Sequence, residues 1–185
     1  MAALETLKNE AAARGDRVAA AKALASASNQ PGALDALCAV LDTRDEELRE
    51  TARSSLSALG GAGVLTKRAT DGQVAEGARV LALTGLRYFR DDVEATTLRA
   101  LLKDSSVAVR AQAALALAVM GPAKAEVALL EALGDSDAKV RFYAADGLAS
   151  ATSAAAKQAV LKRLETETDA TVRFALIAAR NRQSS

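Results

Sequence analysis

An arginine returns along this chain at a nearly constant interval: Arg17, Arg49, Arg79, Arg110, Arg141 and Arg173, separated by 32, 30, 31, 31 and 32 residues. Its surroundings keep step with it. Three residues on come Ala20, Ala52, Ala82, Ala113, Ala144 and Leu176, and six on come the small residues Ala23, Ser55, Gly85, Ala116, Gly147 and Ala179. Seven on stand Leu24, Leu56, Leu86, Leu117 and Leu148, with Arg180 breaking the series in the last copy. Offsets of three and seven fall on one face of a helix, so each arginine lies on a helix with an apolar stripe. A sustained period of about 31 residues marks stacked units, none of which can bury its apolar face alone.

The starts of these helices are legible. Four residues before the arginine stand Asp45, Ser106, Asp137 and Asp169, residue types that cap a helix by accepting its free N–H groups. Ala13 and Ala75 occupy the same place in the first and third copies and cannot do so. A second set of helices is expected between them, at 31–41, 93–102, 122–133 and 153–164, where apolar residues recur at spacings of three and four. Pro31 and Pro122 suit helix starts, and Gly60, Gly121 and Gly134 suit ends or turns. The unit is therefore helix, turn, helix, turn. Composition agrees: half the chain is hydrophobic, yet aromatics are 3% and prolines number two, which favours close-packed Ala-Leu-Val helices over a sheet core. The expectation is one repeat domain over 1–185, with copies near 1–30, 31–62, 63–91, 92–121, 122–152 and 153–185.

The pattern D-x-x-x-x-V-R-x-x-A-A-x-A-L, at Asp104, Val109, Arg110, Ala113, Ala114 and Leu117, resembles the short HEAT-like repeat of the kind found in phycobilin lyase subunits and bacterial scaffold proteins. It returns at Asp135, Val140, Arg141, Ala144, Ala145 and Leu148, and more weakly at Val172 and Arg173. The first three copies depart from it, with Asp16, Leu48 and Ala78 in the valine position. The resemblance implies an all-α, right-handed α-solenoid of the armadillo-like/HEAT-like type, about six helical hairpins of roughly 31 residues each. Second helices would line its concave face. It also implies a structural ladder, in which Asp104 and Asp135 in the turns meet the repeated arginines and bridge neighbouring copies. Asp42 lies one residue from that acid position.

Chemistry is sparse by comparison. The chain has no histidine, which removes Ser-His-Asp and Cys-His nucleophile systems and histidine metal sites, and departs from the His-Glu pairs of HEAT-repeat metal hydroxylases. Cys38 is the single cysteine and lies among apolar neighbours, as a packing thiol does. The glycines of GGAG at 60–63, followed by Lys67 and Arg68, follow a helix and not a strand, so they read as a turn and not as a phosphate cradle. Twenty-four basic residues balance 23 acidic ones, without the basic excess of nucleic-acid binders. No secretory leader or 18-residue apolar run is visible, so no membrane insertion is expected and a cytoplasmic location is the default.

Function is then expected in binding. Arg87, Tyr88, Phe142, Tyr143, Asp146 and Phe174 lie off the apolar stripe of the second helices, and Phe142 and Phe174 share one repeat position. Aromatics and arginines anchor interfaces, and they are scarce in this chain. The reading is a non-enzymatic scaffold that holds another protein or a peptide, with no cofactor. The alternatives are a subunit of a chromophore-lyase-like complex and a designed repeat binder; the divergence among the six copies argues against the latter.

Overall fold

The structure, a computed structural model, describes residues 2–27, 30 and 32–183. Among these residues the chain forms twelve α-helices, three short 3-10 turns and no strand. The helices pair as six hairpins: α1 (Ala2–Lys8) with α2 (Arg14–Ala23), α3 (Ala33–Ala39) with α4 (Glu46–Ala58), α5 (Gly61–Thr70) with α6 (Glu76–Leu86), α7 (Ala95–Leu101) with α8 (Val107–Met120), α9 (Pro122–Ala132) with α10 (Ala138–Gly147), and α11 (Ala154–Thr166) with α12 (Ala170–Gln183). The expected segments at 93–102, 122–133 and 153–164 match α7, α9 and α11, and 31–41 encloses α3. Pro31 lies outside the described residues. Helix α5, which begins within GGAG, is one that the apolar spacing did not single out.

Local chemistry sets these boundaries. Asp45, Ser106 and Asp137 accept hydrogen bonds from the N–H groups of Leu48, Val109 and Val140, and Asp169 accepts from Val172, so four arginine-bearing helices start at a side-chain cap. Ala13 and Ala75 leave α2 and α6 without one. At Gly60 the backbone enters the left-handed region (φ +114°), which lets α4 end and α5 begin almost at once.

The chain divides into two compact units, Met1–Phe89 and Arg90–Ser185. In the second unit the arginine-bearing helices stack in sequence, α8 on α10 and α10 on α12, with α7 beside α9 and α9 beside α11. In the first unit α2 stacks on α4 in the same way, but α6 rests chiefly against α5 and α3. The repeat leucines Leu24, Leu56, Leu86, Leu117 and Leu148 are all buried, while Arg180 in the same position is exposed. Burying one such leucine contributes roughly 1.5–3 kcal/mol, so this column supplies much of each unit's core.

The small residues six after each arginine have a steric reason. A Cβ on Gly147 would lie 2.8 Å from both Cα and Cβ of Ala118 on α8, and 2.9 Å from Leu129 on α9. Gly85 is equally confined, with a Cβ placed 2.8 Å from Leu65 and 3.0 Å from the Cys38 sulfur. Helix backbones approach this closely only where the side chain is nearly absent.

Candidate functional site

In the second unit the repeated arginines form rungs. Nη1 of Arg110 donates to the carbonyls of Asp104 (3.0 Å) and Ser105 (3.3 Å), which ties the arginine to the turn preceding its own helix. The other edge of the guanidinium reaches forward to the next turn, with Nε 2.8 Å from Oδ2 and Nη2 3.1 Å from Oδ1 of Asp135. Arg141 repeats the arrangement. Its Nη1 donates to the carbonyls of Asp135 and Ser136, and its Nε and Nη2 each lie 2.8 Å from a carboxylate oxygen of Glu167. A planar fork meeting a carboxylate side-on is the strongest form of this contact.

Glu167 takes the acid role because it stands six residues before Arg173, as Asp104 and Asp135 stand six before Arg110 and Arg141. Glutamate in place of aspartate hides it from the D-x-x-x-x-V-R pattern, while the six-residue offset identifies it. All three acids also accept the N–H two residues ahead, from Ser106, Asp137 and Asp169, which fixes the turn. The Glu167 side chain is fully buried and receives a second arginine, Arg163, from α11. Hydrogen bonds from Arg141, aided by the Asp169 N–H and Arg163, outweigh burial and hold its carboxyl down at about 2. Burial pushes Asp135 upward, but Arg110 and the Asp137 N–H prevail and leave it below the usual aspartate range. The paired arginines are raised in turn, Arg110 by Asp135 and Arg141 by Glu167.

The first unit presents the same arginines with different surroundings. Nη1 of Arg49 donates to the Thr43 carbonyl, the equivalent backbone bond, but the acid position of the following copy holds Gln73. Arg17 donates through Nε to the Leu7 carbonyl (3.3 Å), and the acid position ahead of it holds Thr43. Among the described residues neither arginine pairs with a carboxylate. Arg79 is buried and donates through Nε to the Ala69 carbonyl. Arg173, on the last helix, donates through Nη1 to the carbonyls of Leu164 and Glu167, and its forward edge meets no acceptor among the described residues.

The candidate contact residues separate into two groups. Arg87 and Tyr88 lie in the 3-10 turn Arg87–Phe89 of the first unit, where both engage Asp42. Arg87 Nη2 is 2.7 Å from its carboxylate, and the Tyr88 hydroxyl sits 2.9 Å from the carboxylate and 2.7 Å from the Leu41 carbonyl. Burial first, and then Asp42, raises the Tyr88 hydroxyl pKa. Asp42 thus serves this cluster and not a repeat rung. The other four belong to the second unit. Phe142 and Tyr143 pack edge-to-face at 5.5 Å on α10 and are half-buried; Asp146 is exposed on the same helix. Phe174 on α12 is 73% exposed, with Ile177 one turn further also exposed.

The remaining motifs resolve into scaffold. Arg68 forms a two-toothed ion pair with Asp35 (2.8 Å) and so does not stand over the glycines as a phosphate ligand would. Cys38 is buried against α6, and burial, with Asp35 adding to it, pushes its thiol up to about 12. No group of three or more His, Cys, Asp or Glu side chains poised to hold a metal occurs among the described residues, and no described helix is long and apolar enough to cross a membrane.

Comparison with known proteins bears on the fold. Residues 94–180 match the family model for HEAT repeats. No curated protein sequence matches the chain at a significant level. Among solved structures, a designed armadillo repeat protein in complex with the peptide (KR)4 superposes with a TM-score of 0.56 at 18% identity, over 98% of each chain. An engineered protein superposes with a TM-score of 0.58 at 20% identity, over 98% of this chain and 97% of that one. Human deoxyhypusine hydroxylase in complex with glycerol gives 0.55 at 18%, over 98% of this chain and 72% of that one. At these identities the likeness is one of fold. Residues 94–180 thus match HEAT repeats, in a chain with the all-α repeat-solenoid fold of armadillo- and HEAT-type proteins.

Proposed function

We propose that this protein is a non-enzymatic scaffold that holds a protein or peptide on the arginine-bearing helices of its second unit. The observation that carries the reading is Phe174, 73% exposed at the repeat position that Phe142 also occupies. A large exposed ring on a helix packed against α10 and α11 is a rigid anchor, and such anchors dominate binding energy. The Phe142–Tyr143 pair and exposed Asp146 extend the surface on α10. Asp146 suits a partner with a basic group. The neighbour solved with the peptide (KR)4 supports peptide holding by a frame of this kind. Arg87 and Tyr88 enter the reading only through their outer edges, since Arg87 Nη2 and the Tyr88 hydroxyl are engaged with Asp42. A reducing compartment such as the cytoplasm suits a chain whose one thiol is unpaired.

The test is selection of binders from a displayed peptide library, followed by Kd measurement on Phe174→Ala, Phe142→Ala, Tyr143→Ala and Asp146→Ala. Losing a buried aromatic anchor costs about 2 kcal/mol or more, so at least one ring variant should bind about 30-fold more weakly with its helical circular dichroism intact. Undiminished binding by all four folded variants would remove this surface from the proposal. Copurification of a bilin, visible as absorbance of the purified protein, would favour the chromophore-lyase reading instead.

A further inference from the structure

We propose that the groove beside Arg17 in the first unit binds a carboxylate carried by an acidic peptide, a glutamate side chain on an apolar segment. The groove is open and holds about 590 Å³, within the range of ligand sites. Its floor is apolar, from Leu7, Ala36 and Val40, and Lys8, Arg17 and Thr43 stand at its polar side. It opens where the second unit would have a rung. Thr43 occupies the acid position of the ladder, six residues before Arg49, and its hydroxyl accepts the Asp45 N–H two residues ahead, as Asp104, Asp135 and Glu167 do for their own turns. The turn is therefore built as in the other copies, and only the carboxylate is missing.

Arg17 feels that loss. Nε is used on the Leu7 carbonyl, while neither Nη has an acceptor among the described residues. Lys8 adds a second exposed cation with no ion-pair partner among the described residues. Two acids also border the groove. Asp42 is already neutralised by Arg87, and Glu10 is exposed and makes no ion pair with Arg17. A half-buried guanidinium edge gains most from a planar, bidentate acceptor, the group that Asp135 and Glu167 supply to the other rungs. The apolar floor suits a methylene stem, which favours glutamate on a segment with leucine-like neighbours. This site is independent of the aromatic surface on α10 and α12.

The experiment is an NMR titration of the full chain, observing the arginine side-chain N–H resonances, with the blocked peptide acetyl-Leu-Glu-Leu-amide, its glutamine analogue, and inorganic phosphate. The proposal expects saturable shifts at Arg17 with the glutamate peptide and binding weaker by about tenfold or more for the glutamine analogue. Arg17→Gln should weaken binding similarly. Thr43→Asp should abolish it and raise the melting temperature, because the rung then closes from within. Absence of saturable shifts at Arg17 with the glutamate peptide would overturn the proposal. So would equal binding of the glutamine analogue, tighter binding of phosphate than of the peptide, or undiminished binding by either folded variant. Phe174→Ala should bind the peptide as the parent does, which separates failure here from failure of the aromatic surface.

Discussion

The two units use the same repeated arginine to different ends. In the second, Arg110 and Arg141 each pin their own turn with one edge and clasp the next turn's acid with the other, so every hairpin is locked to its successor by a contact inside the repeat. In the first, Arg17 and Arg49 keep a backbone bond but meet Thr43 and Gln73 where an acid would stand. Ion pairs of this unit that lie outside the repeat position include Arg14 with Asp45, Arg68 with Asp35 and Arg87 with Asp42. The difference shows how a solenoid can hold its repeat spacing, with leucine burial and small-residue contacts in place, where an arginine–carboxylate rung is absent. The residues that match the HEAT-repeat family model, 94–180, are those that contain the closed rungs.

Cutting a closed rung should have the largest effect. Arg141→Ala leaves Glu167 buried with only Arg163 to balance it, and should destabilise the protein by about 3–5 kcal/mol in chemical denaturation, with Arg110→Ala costing about 2–5 kcal/mol. Arg49→Ala, at an open rung, should cost about 1 kcal/mol, the worth of one ordinary hydrogen bond. Equal costs at Arg141 and Arg49 would erase the distinction between the units.

Acid sharpens it further. Glu167 is held at about 2 in the folded protein, against about 4.5 unfolded, so its contribution is present above the unfolded value and is lost as pH falls through the folded one. The second unit should lose about 3 kcal/mol between pH 4.5 and pH 2 on this account, and Glu167→Gln should flatten that part of the stability curve. Gly147→Val tests the close approach of α10 to α8; the added side chain meets backbone and should cost about 1–3 kcal/mol. The smallest expected effect is a gain. Ala75 already has the extended backbone of a cap residue (φ −54°, ψ 140°), so Ala75→Asp should stabilise α6 by about 0.5–1 kcal/mol, whereas Ser106→Ala should cost α8 about 1 kcal/mol.

Much of the fold was legible because repeat spacing reports directly on which residues must be buried. The leucines seven after five of the six arginines and the small residues six after each are constrained by burial and close packing, as the structure shows at Leu117 and Gly147. The caps at Asp45, Ser106, Asp137 and Asp169 were readable for the same reason. Helix α5 was not, because Gly61 and Gly63 weaken the helical signal that tertiary packing restores. Glu167 was missed because it differs by one methylene from the acid sought, and a longer side chain can deliver the same carboxylate. The role of Asp42 was hidden too: its partners Arg87 and Tyr88 lie 45 and 46 residues away and obey no repeat offset.

Arg110 and Arg141 are held at both edges, whereas Arg17, Arg49 and Arg173 are held at one among the described residues. Rotation of the guanidinium group about its Nε–Cζ bond, measured by arginine side-chain NMR on the intact protein, reads all five at once. Arg110 and Arg141 should show slow rotation with their Nη sites resolved, and Arg17, Arg49 and Arg173 fast, averaged rotation. Slow rotation at all five, or fast rotation at Arg110 and Arg141, would contradict the account.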